Sequence, residues 1–443
     1  MRRHSEAARR LVHLGAGGLA FTLKFLNVQE AALFAFAALL FNHLALPRIG
    51  GDALFRQGER GRPMRSGIHL YPVAVLLLVL LFGWRMEIAA TGWVIMAAGD
   101  PAAAALGSRL GRRPIPWNRD KTALGSLAFA AAAALAAWAM LLYMGRAPGE
   151  AGALAIPTAL FAAFVESLPW RMNDNLTVPL LAALFLCGLI AGDALRLDEA
   201  APRLWEEVLP AVLVNVVLAA LYRGAGTVDR SGMAAGFAIG VLTWAFGGWR
   251  SYLILVVFFL LGSATTRLGR RRKEKLGVAQ AKKGARSARH ALANCGVGVY
   301  LALLGATALN PDLFVLAFVC AYATAAFDTV SSEIGQAYGG RPLLITTLRP
   351  VPIGTDGAVT WLGTAAGFAA AALVGGLAVG LGLLRPAAAP ALLLAAFIGS
   401  SADSILGATL QQKGLMDNEA VNFSNTLVGA LAGIGMALLG GAV

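Results

Sequence analysis

The sequence is poor in charge and in cysteine. Only 14% of its 443 residues are charged, whereas 58% are apolar and the mean hydropathy is +0.68, far from the composition of a water-soluble globular protein. A soluble enzyme is therefore excluded. The three cysteines, Cys187, Cys295 and Cys320, lie in apolar segments without the paired spacing of a zinc site or a disulfide framework, and we interpret them as packing residues.

Apolar runs of membrane-spanning length recur along the chain, separated by short charged stretches. A bilayer core roughly 30 Å thick takes about 20 apolar residues in helical form, and the backbone must satisfy its own hydrogen bonds there. The sequence predicts an all-α polytopic integral membrane protein with about fifteen transmembrane helices. The expected surroundings of these helices, and so the expected binding partner of the protein, are the lipids of the bilayer.

The chain has 37 Lys and Arg against 24 Asp and Glu. In a membrane protein such an excess of basic residues indicates which loops face the cytoplasm, so we expect no nucleic-acid partner. Most of the basic residues fall in loops that alternation puts on the same side as the N-terminus. The positive-inside rule then predicts a protein of the cytoplasmic (inner) membrane, with its N-terminus and active-site loops in the cytoplasm. The densest basic run, Arg267–Arg289, is interpreted as a solvated loop, with binding of anionic lipid or a nucleotide left open.

An internal repeat is the most informative pattern in the sequence. The spacing Asp-x6-Gly-x3-Gly begins at Asp100 and again at Asp328. Three further elements follow in the same order in both halves: a turn (Lys121-Thr122-x2-Gly125, Gly354-Thr355-Asp356-Gly357), a carboxylate near a helix end (Glu166, Asp403) and an amide-rich helix start (Asn173-Asp174-Asn175, Asn422 with Asn425). We predict two related tandem domains, residues 1–222 and 225–443. Chance periodicity of small residues in membrane helices is the alternative.

Both halves gather acids and cations on the predicted cytoplasmic side. A carboxylate in or at the end of a membrane helix costs several kcal/mol unless it is paired or bound to a metal, so it is a functional candidate. Carboxylates beside Lys or Arg and close-packed glycines match the needs of a magnesium–nucleotide site. Any single Asp can instead cap a helix, and spaced glycines can mark close helix contact.

The first half resembles the family of phytol kinase, dolichol kinase and CTP-dependent diacylglycerol kinase, which is also grouped with phosphatidate cytidylyltransferases. The resemblance rests on Arg9-Arg10-x2-His13, Gly99-Asp100-x2-Ala103-x3-Gly107-x3-Gly111, Lys121-Thr122-x2-Gly125-Ser126, and Glu166-Ser167 followed by Asp174-Asn175-Leu176. It implies CTP-dependent transfer of phosphate to a lipid alcohol. Pro101 stands where these kinases commonly have a small hydroxyl residue, so a hydroxyl contact to phosphate is expected to be missing there.

The second half closely resembles the family typified by plant phytyl-phosphate kinase, which includes transmembrane protein nineteen and was long catalogued as a domain of unknown function. The resemblance rests on Arg286-x6-Ala293-Asn294, Phe327-Asp328-Thr329-x-Ser331-Ser332-Glu333-Ile334-Gly335, Val351-Pro352-x-Gly354-Thr355-Asp356-Gly357-x-Val359, and Asp403-Ser404-x2-Gly407-Ala408-x-Leu410-Gln411 with Asn422. Asp356 stands where such relatives often have Asn, which leaves its role open.

Together the resemblances imply a fusion in which one half phosphorylates a prenyl alcohol, of the phytol or geranylgeraniol type, and the other phosphorylates the monophosphate. Mg²⁺ is the implied cofactor and CTP the implied phosphate donor. The implied metal ligands are Asp100, Glu166, Asp174, Asp328, Glu333, Asp356 and Asp403. The implied nucleotide or phosphate contacts are Gly107, Gly111, Arg112, Thr122, Gly125, Arg286, Arg289, Asn294, Gly354, Thr355 and Asn422. The implied catalytic residues are Asp100, Asp328, Lys121 on the transferring phosphoryl group, and His13 or a carboxylate as general base.

Three alternatives stay open. A lipid cytidylyltransferase would attack the α-phosphate of CTP instead of the γ-phosphate. A secondary transporter also suits tandem halves with intramembrane acids, although nearly every acid here maps to an inner helix end and not to the bilayer midplane. One half can also be catalytically silent and scaffold the other. The sequence makes no prediction of oligomeric state.

Overall fold

The computed structural model describes residues 6–48, 66–115, 117–170, 172–192, 197–225, 229–278 and 287–440. Across these ranges the protein is helical almost throughout, which confirms the predicted all-α membrane architecture. Eleven helical segments of the described ranges are long and apolar enough to cross a membrane. Two of them, Gly67–Leu110 and Ser231–Arg267, are 44 and 37 residues long, and each is interrupted, by a turn at Gly83–Arg85 and by a kink at Gly248. The predicted number of about fifteen crossings stays a prediction.

The first compact unit covers Met1–Ala191. Its described elements are α1 (Glu6–Gly18), α2 (Val28–Leu40), α3 (Gly67–Phe82), α4 (Met86–Leu110), β1 (Pro114–Ile115), β2 (Asn118–Thr122), α5 (Ala123–Tyr143), α6 (Pro148–Ser167) and α7 (Asp174–Ala191). Helix α4 is central: it packs against α1, α3, α5 and α7, and its side chains are buried continuously over residues 88–97.

The second compact unit covers Gly192–Val443. Its described elements are α8 (Leu197–Ala225), α9 (Arg230–Arg267), α10 (Arg270–Lys275), α11 (Ala288–Thr307), α12 (Pro311–Tyr338), β3 (Leu343–Leu344), β4 (Ala358–Val359), α13 (Trp361–Gly380), α14 (Ala389–Leu406) and α15 (Asn418–Gly440). Helix α12 is central and packs against α9, α11, α13, α14 and α15. Helix α8 packs on α9, so its contacts lie within this unit, whereas the predicted boundary at residues 222–225 falls at its far end.

In both units a short antiparallel hairpin leads directly into a helix. Strands β1 and β2 precede α5, and strands β3 and β4 precede α13. Thr122 Oγ1 accepts a hydrogen bond from the Gly125 N–H at 3.1 Å, and Thr360 Oγ1 accepts one from the Gly363 N–H at 3.1 Å. A threonine that takes up an unpaired N–H of the first turn is a favoured N-cap, which is why both helices begin where they do.

A contact between a glycine on one helix and a phenylalanine ring on the next occurs at the same place in both units, but the two residues are exchanged between the helices. In the first unit Gly99 of α4 lies directly against the ring of Phe129 on α5. At the equivalent positions of the second unit, Phe327 of α12 presents the ring and Gly367 of α13 provides the space for it. Because a β-carbon at either glycine would collide with the facing ring, the two helices approach equally closely in both units.

Candidate functional site

The first unit contains a charged cluster built from three elements. Lys121 lies on β2, Glu166 near the end of α6, and Asp174 begins α7. The Lys121 ammonium is 2.5 Å from Glu166 Oε1 and 2.9 Å from Asp174 Oδ2. The Glu166 side chain is only 4% exposed, so its charge needs this cation.

Lys121 keeps its charge in this setting. Burial disfavours the ammonium form, but the Asp174 and Glu166 carboxylates outweigh that effect and raise the pKa of Lys121 above its ordinary value. The side chain is therefore a permanent cation at physiological pH. The second Glu166 oxygen, Oε2, is buried without a hydrogen-bond partner in the described part of the structure, so one acceptor of the cluster is left for a ligand.

Asp100 lies close to this cluster, in the interior of α4. It is near enough to Glu166 for their charges to interact, and its Oδ2 is 4.0 Å from His13 Nδ1. The His13 ring packs edge-on against Tyr71, whose hydroxyl accepts a hydrogen bond from Trp93 Nε1 at 2.8 Å. His13 and Asp100 are thus brought together from α1 and α4.

The acids Asp100 and Asp328 correct two interpretations of the sequence. Both lie well inside their helices, α4 and α12, so neither is a helix cap. The expectation that nearly every acid maps to a helix end is also wrong for these two residues. Glu166 does lie at the end of its helix, as predicted.

The glycines of the first unit that are predicted to approach a nucleotide lie close to a threonine. A β-carbon at Gly107, Gly111 or Gly125 would crowd the Oγ1 of Thr122, and a β-carbon at Gly111 would also meet the Gly107 carbonyl. Arg112 is exposed just after α4. These glycines let the hairpin pack closely onto α4, and a role for them in nucleotide binding stays a prediction.

The same packing occurs in the second unit. A β-carbon at Gly335, Gly339 or Gly363 would collide with the Oγ1 of Thr360. The Gly339 N–H donates to the Gly335 carbonyl at 2.9 Å, as the Gly111 N–H donates to the Gly107 carbonyl at 3.1 Å in the first unit. The repeated sequence spacing therefore corresponds to a repeated close contact between a helix end and a capped hairpin.

A polar cavity of about 470 Å³ opens inside the second unit. It is lined by residues of α11, α12, α13, α14 and α15 and by the β3–β4 hairpin. The predicted site residues among its lining are Asn294, Asp328, Glu333, Gly354, Thr355, Asp356, Asp403 and Asn422. Tertiary structure has therefore collected eight predicted residues, distant in sequence, around one space.

Asp328 and Asp403 form the acid pair of this cavity. Asp328 Oδ1 accepts a hydrogen bond from Ser400 Oγ at 3.3 Å, and Asp403 Oδ1 accepts one from Asn425 Nδ2 at 2.8 Å. The two carboxylates are close enough for their charges to interact. Within the described residues, neither is ion-paired with a Lys or Arg, so no side-chain cation competes with a ligand for the carboxyl oxygens of this pair.

A tight turn carries the third acid of the cavity. Gly354 and Gly357 have φ values of +88° and +77°, which a residue with a side chain rarely adopts. Between them, Thr355 Oγ1 donates to the Pro352 carbonyl at 2.8 Å. Burial raises the pKa of Asp356 above its ordinary value, so this carboxyl takes up a proton more readily than a solvated one.

Glu333 lines the cavity but is paired with a cation that sequence reasoning missed. Lys273 of α10 donates to Glu333 Oε2, and Thr266 Oγ1 donates to Glu333 Oε1 at 2.9 Å. The Lys273 side chain is only 3% exposed. The interpretation of the whole run Arg267–Arg289 as a solvated loop is therefore wrong at Lys273, where a single basic residue turns inward to neutralise a buried acid.

Two predicted arginines, Arg286 and Arg289, and two predicted asparagines, Asn294 and Asn422, complete the predicted site of the second unit. Arg289 is 2.9 Å from Asp417 Oδ2, so its charge is already compensated. Asn294 donates from Nδ2 to the His290 carbonyl at 2.9 Å, and Asn422 is buried. Arg286 lies outside the described residues.

The described residues contain no group of three His, Cys, Asp or Glu side chains arranged to hold a metal ion. In the first unit, the Lys121 ammonium lies between Glu166 and Asp174, where a cation would otherwise be needed. In the second unit, Asp328 and Asp403 offer hard oxygen donors without a competing cation. Mg²⁺ is commonly held by one or two carboxylates, with substrate phosphates and water completing its shell, so the donors of the second unit fit this ion.

Sequence reasoning did not identify Ser400, Lys273 or Val359 as neighbours of the site. Val359 lines the cavity immediately before the capping Thr360, at the position that Lys121 holds before Thr122. The signal is the spacing Thr-x2-Gly, which occurs at Thr122 and again at Thr360, whereas the repeat proposed from the sequence matches Lys121-Thr122 to Gly354-Thr355. The comparison shows that the two sites differ in charge.

Comparisons with known proteins agree with the membrane architecture. The family described as integral membrane protein DUF92 matches residues 213–430. An uncharacterized membrane protein of Synechocystis sp. is 40% identical over 235 residues, which cover 52% of this chain and 90% of that protein. Protein VTE6, chloroplastic, of Arabidopsis thaliana is 35% identical over 250 residues, 55% of this chain and 74% of that protein. The chain therefore belongs to the DUF92 integral membrane family.

A more distant relative carries an enzyme name. Probable phytol kinase 3, chloroplastic, of Glycine max is 31% identical over 193 residues, which cover 40% of this chain and 60% of that protein. No solved structure matches. The predicted kinship of the second half with a family catalogued as a domain of unknown function is confirmed, while the fusion of two kinase types stays a prediction.

Proposed function

We propose that this member of the DUF92 family is a membrane lipid kinase that uses CTP to phosphorylate a prenyl alcohol and then the resulting monophosphate. A relative named as a probable phytol kinase supports the kinase class. The observation that carries the proposal is the occurrence of one acid pair in each unit, Asp100 with Glu166 and Asp328 with Asp403. Two such sites in one chain match two successive phosphorylations.

In the first reaction the lipid hydroxyl oxygen bonds to the γ-phosphorus of CTP. The bond between that phosphorus and the β,γ-bridging oxygen breaks, CDP leaves, and the hydroxyl proton passes to a base. His13, buried beside Asp100, is our candidate for this base. Lys121 is a fixed cation beside the acids and would stabilise the charge on the transferring phosphoryl group.

In the second reaction a phosphate oxygen of the monophosphate bonds to the γ-phosphorus of CTP, the bond from that phosphorus to the β,γ-bridging oxygen breaks, and CDP leaves. The attacking oxygen is already deprotonated, so no base is needed. Asp328 and Asp403 would hold Mg²⁺ there, and the ion would neutralise charge on the nucleotide phosphates. Ser400 and Asn425 hold the two carboxylates in place through hydrogen bonds. In the first site Glu166 Oε2 and Asp100 are the oxygen donors that Lys121 does not contact.

We assign both sites to the cytoplasmic side of the inner membrane. The basis is the excess of Lys and Arg in loops on the side of the N-terminus. A charged nucleotide does not enter the bilayer core, so its site must open to the compartment that supplies it.

The test is a transfer assay on purified protein in nanodiscs with Mg²⁺. CTP labelled in its γ-phosphate is combined with phytol, geranylgeraniol or their monophosphates. We expect Asp100→Asn to reduce phosphorylation of the alcohol, and Asp328→Asn that of the monophosphate, each roughly 100-fold. Asp312→Asn, an exposed acid in the first turn of α12, is the matched control and should leave both steps unchanged.

Two other outcomes would replace the proposal. Incorporation of label from the α-phosphate and the cytidine would identify a cytidylyltransferase. Absence of any label in lipid, with no nucleotide binding, would support the transporter, for which the interior positions of Asp100 and Asp328 are suited. If one mutation abolished both steps and the other abolished neither, one unit would be a scaffold.

A further inference from the structure

A second space in the second unit is apolar. It is a groove between α8, α9 and α11, with walls that include Met233, Phe237, Phe258 and Phe259. The polar groups of the wall are engaged with each other: Tyr252 Oη donates to Asn215 Oδ1 at 3.0 Å, and Asn215 Nδ2 donates to the Ala211 carbonyl at 2.8 Å. The groove therefore presents hydrocarbon to whatever enters it.

This groove adjoins the polar cavity. His290 and Asn294, one turn apart near the start of α11, line both spaces. On one side of these residues are the aromatic and aliphatic walls of the groove, and on the other are Asp328 and Asp403. A molecule that fills both spaces must have an apolar chain joined to a polar head, with the junction beside His290 and Asn294.

We infer that the groove binds the hydrocarbon chain of a prenyl monophosphate whose phosphate lies in the polar cavity. The inference rests on the proposed function of the second unit and adds the site that selects its lipid. The groove, and not the lipid-facing surface, would then determine which chain is accepted, because apolar contact there is made only by a substrate whose head reaches the acids.

Gly236 provides a precise way to fill the groove. It lines the groove, and a β-carbon at this position meets nothing within 4 Å, so a larger side chain extends into the open space without displacing the protein. Gly240, one turn further along α9, is unsuitable because a β-carbon there would collide with Asn215. Gly376 of α13 is the matched control: a β-carbon there also meets nothing within 4 Å, and the residue lines neither space.

The experiment compares the wild type, Gly236→Leu and Gly376→Leu in nanodiscs. The probe is a geranylgeranyl monophosphate with a photoreactive diazirine at the end of its chain, and crosslinked peptides are identified by mass spectrometry. We expect labelling of α8 and α9 at the groove, reduced at least about tenfold by Gly236→Leu and unchanged by Gly376→Leu. Kinetics should show a similar rise in KM for geranylgeranyl monophosphate and little change for a five-carbon prenyl monophosphate.

Each outcome bears on one claim. Crosslinks confined to the lipid-facing surface, or groove labelling that excess bilayer phospholipid removes, would overturn the inference, since the groove would then hold bulk lipid. Equal kinetics for Gly236→Leu and wild type on both chain lengths would also overturn it. Groove labelling sensitive to Gly236→Leu, in a protein without kinase activity, would support the groove and reject the proposed function.

Discussion

Both units contain a helix, a hairpin and a capped helix in the same order, but the charges around them differ. Each has a central helix with an interior Asp, a hairpin, and a helix capped by Thr122 or Thr360. Before the cap, the first unit has Lys121, which pairs with its acids, and the second has Val359; within the described residues the acids Asp328 and Asp403 have no Lys or Arg partner. The difference teaches that the packing of the hairpin and the charge of the site are set by different residues. The glycines and the capping threonines hold the hairpin against the helix in both units, while the residue before the threonine, Lys121 or Val359, affects which ligands the site can accept.

A second difference is an ion pair that is present in the second unit and has no counterpart in the first. Glu333 and Lys273 form a buried ion pair in the second unit, whereas the position in α4 equivalent to Glu333 is Ala105. Breaking a buried pair by removing one partner leaves an uncompensated charge and costs about 3 to 5 kcal/mol. The second unit thus depends on an interaction that the first does not contain.

The largest expected effect is on the stability of the second unit. Lys273→Ala should reduce the free energy of unfolding by about 3 to 5 kcal/mol, measured by thermal or denaturant unfolding in detergent, because the buried Glu333 carboxylate loses the Lys273 cation that pairs with it. The double variant Lys273→Met with Glu333→Leu should recover most of it. If Lys273→Ala unfolds like the wild type but loses the second phosphorylation, Glu333 acts in the site and not in the scaffold.

The next effect separates the two reactions. Lys121→Ala removes the only cation that contacts Glu166 and Asp174 within the described residues, and we expect phosphorylation of the alcohol to fall roughly 100-fold while phosphorylation of the monophosphate is kept. Lys24→Ala, which removes an exposed lysine of the same unit, is the control and should change neither rate. Equal loss of both steps would show that the units do not act independently.

A lysine placed before the capping threonine of the second unit should give that site a cation like Lys121 of the first. Val359→Lys introduces a cation into the cavity beside the acid pair, where it competes with Mg²⁺. We expect the Mg²⁺ concentration for half-maximal second-step activity to rise roughly tenfold. Val359→Met, a neutral side chain of similar length, should leave the Mg²⁺ dependence unchanged. An identical response of the two variants would indicate a steric effect.

The repeated caps should be worth the same in both units. Thr122→Ala and Thr360→Ala each remove a side-chain acceptor from a helix start, and each should cost about 1 kcal/mol of unfolding free energy. Thr409→Ala, an exposed threonine bonded only to its own helix, should cost less than about 0.5 kcal/mol. A large difference between the two caps would contradict the equivalence of the hairpins.

The smallest effect concerns pH. Because burial raises the pKa of Asp356, this carboxyl becomes protonated, and stops attracting a cation, at a higher pH than a solvated Asp. Asn is neutral at every pH, as the protonated carboxyl is. At neutral pH Asp356→Asn should therefore have the lower rate that the wild type reaches once Asp356 is protonated, less than about threefold below wild type, and it should lack this part of the acidic fall. The pH profile of the first step should be unchanged. An unaltered second-step profile would place Asp356 outside the reaction.

Much of the architecture follows from short-range features that a sequence displays directly. Apolar runs predicted the membrane helices because each must bury its own backbone hydrogen bonds. The repeated Asp and Gly spacing predicted matching helices, and Asp100 and Asp328 do lie at matching places on α4 and α12. The burial of Lys273 was not predictable, because the sequence of a basic segment does not show which of its residues packs against an acid 60 residues away.

The sequence by itself determined the membrane class, the helical content and the residues of the acid pairs, since composition and spacing are properties of the chain alone. Only the tertiary structure decided that Lys121 pairs with Glu166 and Asp174, while Asp328 and Asp403 have no Lys or Arg partner among the described residues. It also decided that the glycine–phenylalanine contact has its glycine on α4 in the first unit (Gly99 against Phe129) and on α13 in the second (Gly367 against Phe327). The physical reason is that charge compensation and close packing depend on distances between residues far apart in the chain, and folding alone sets those distances.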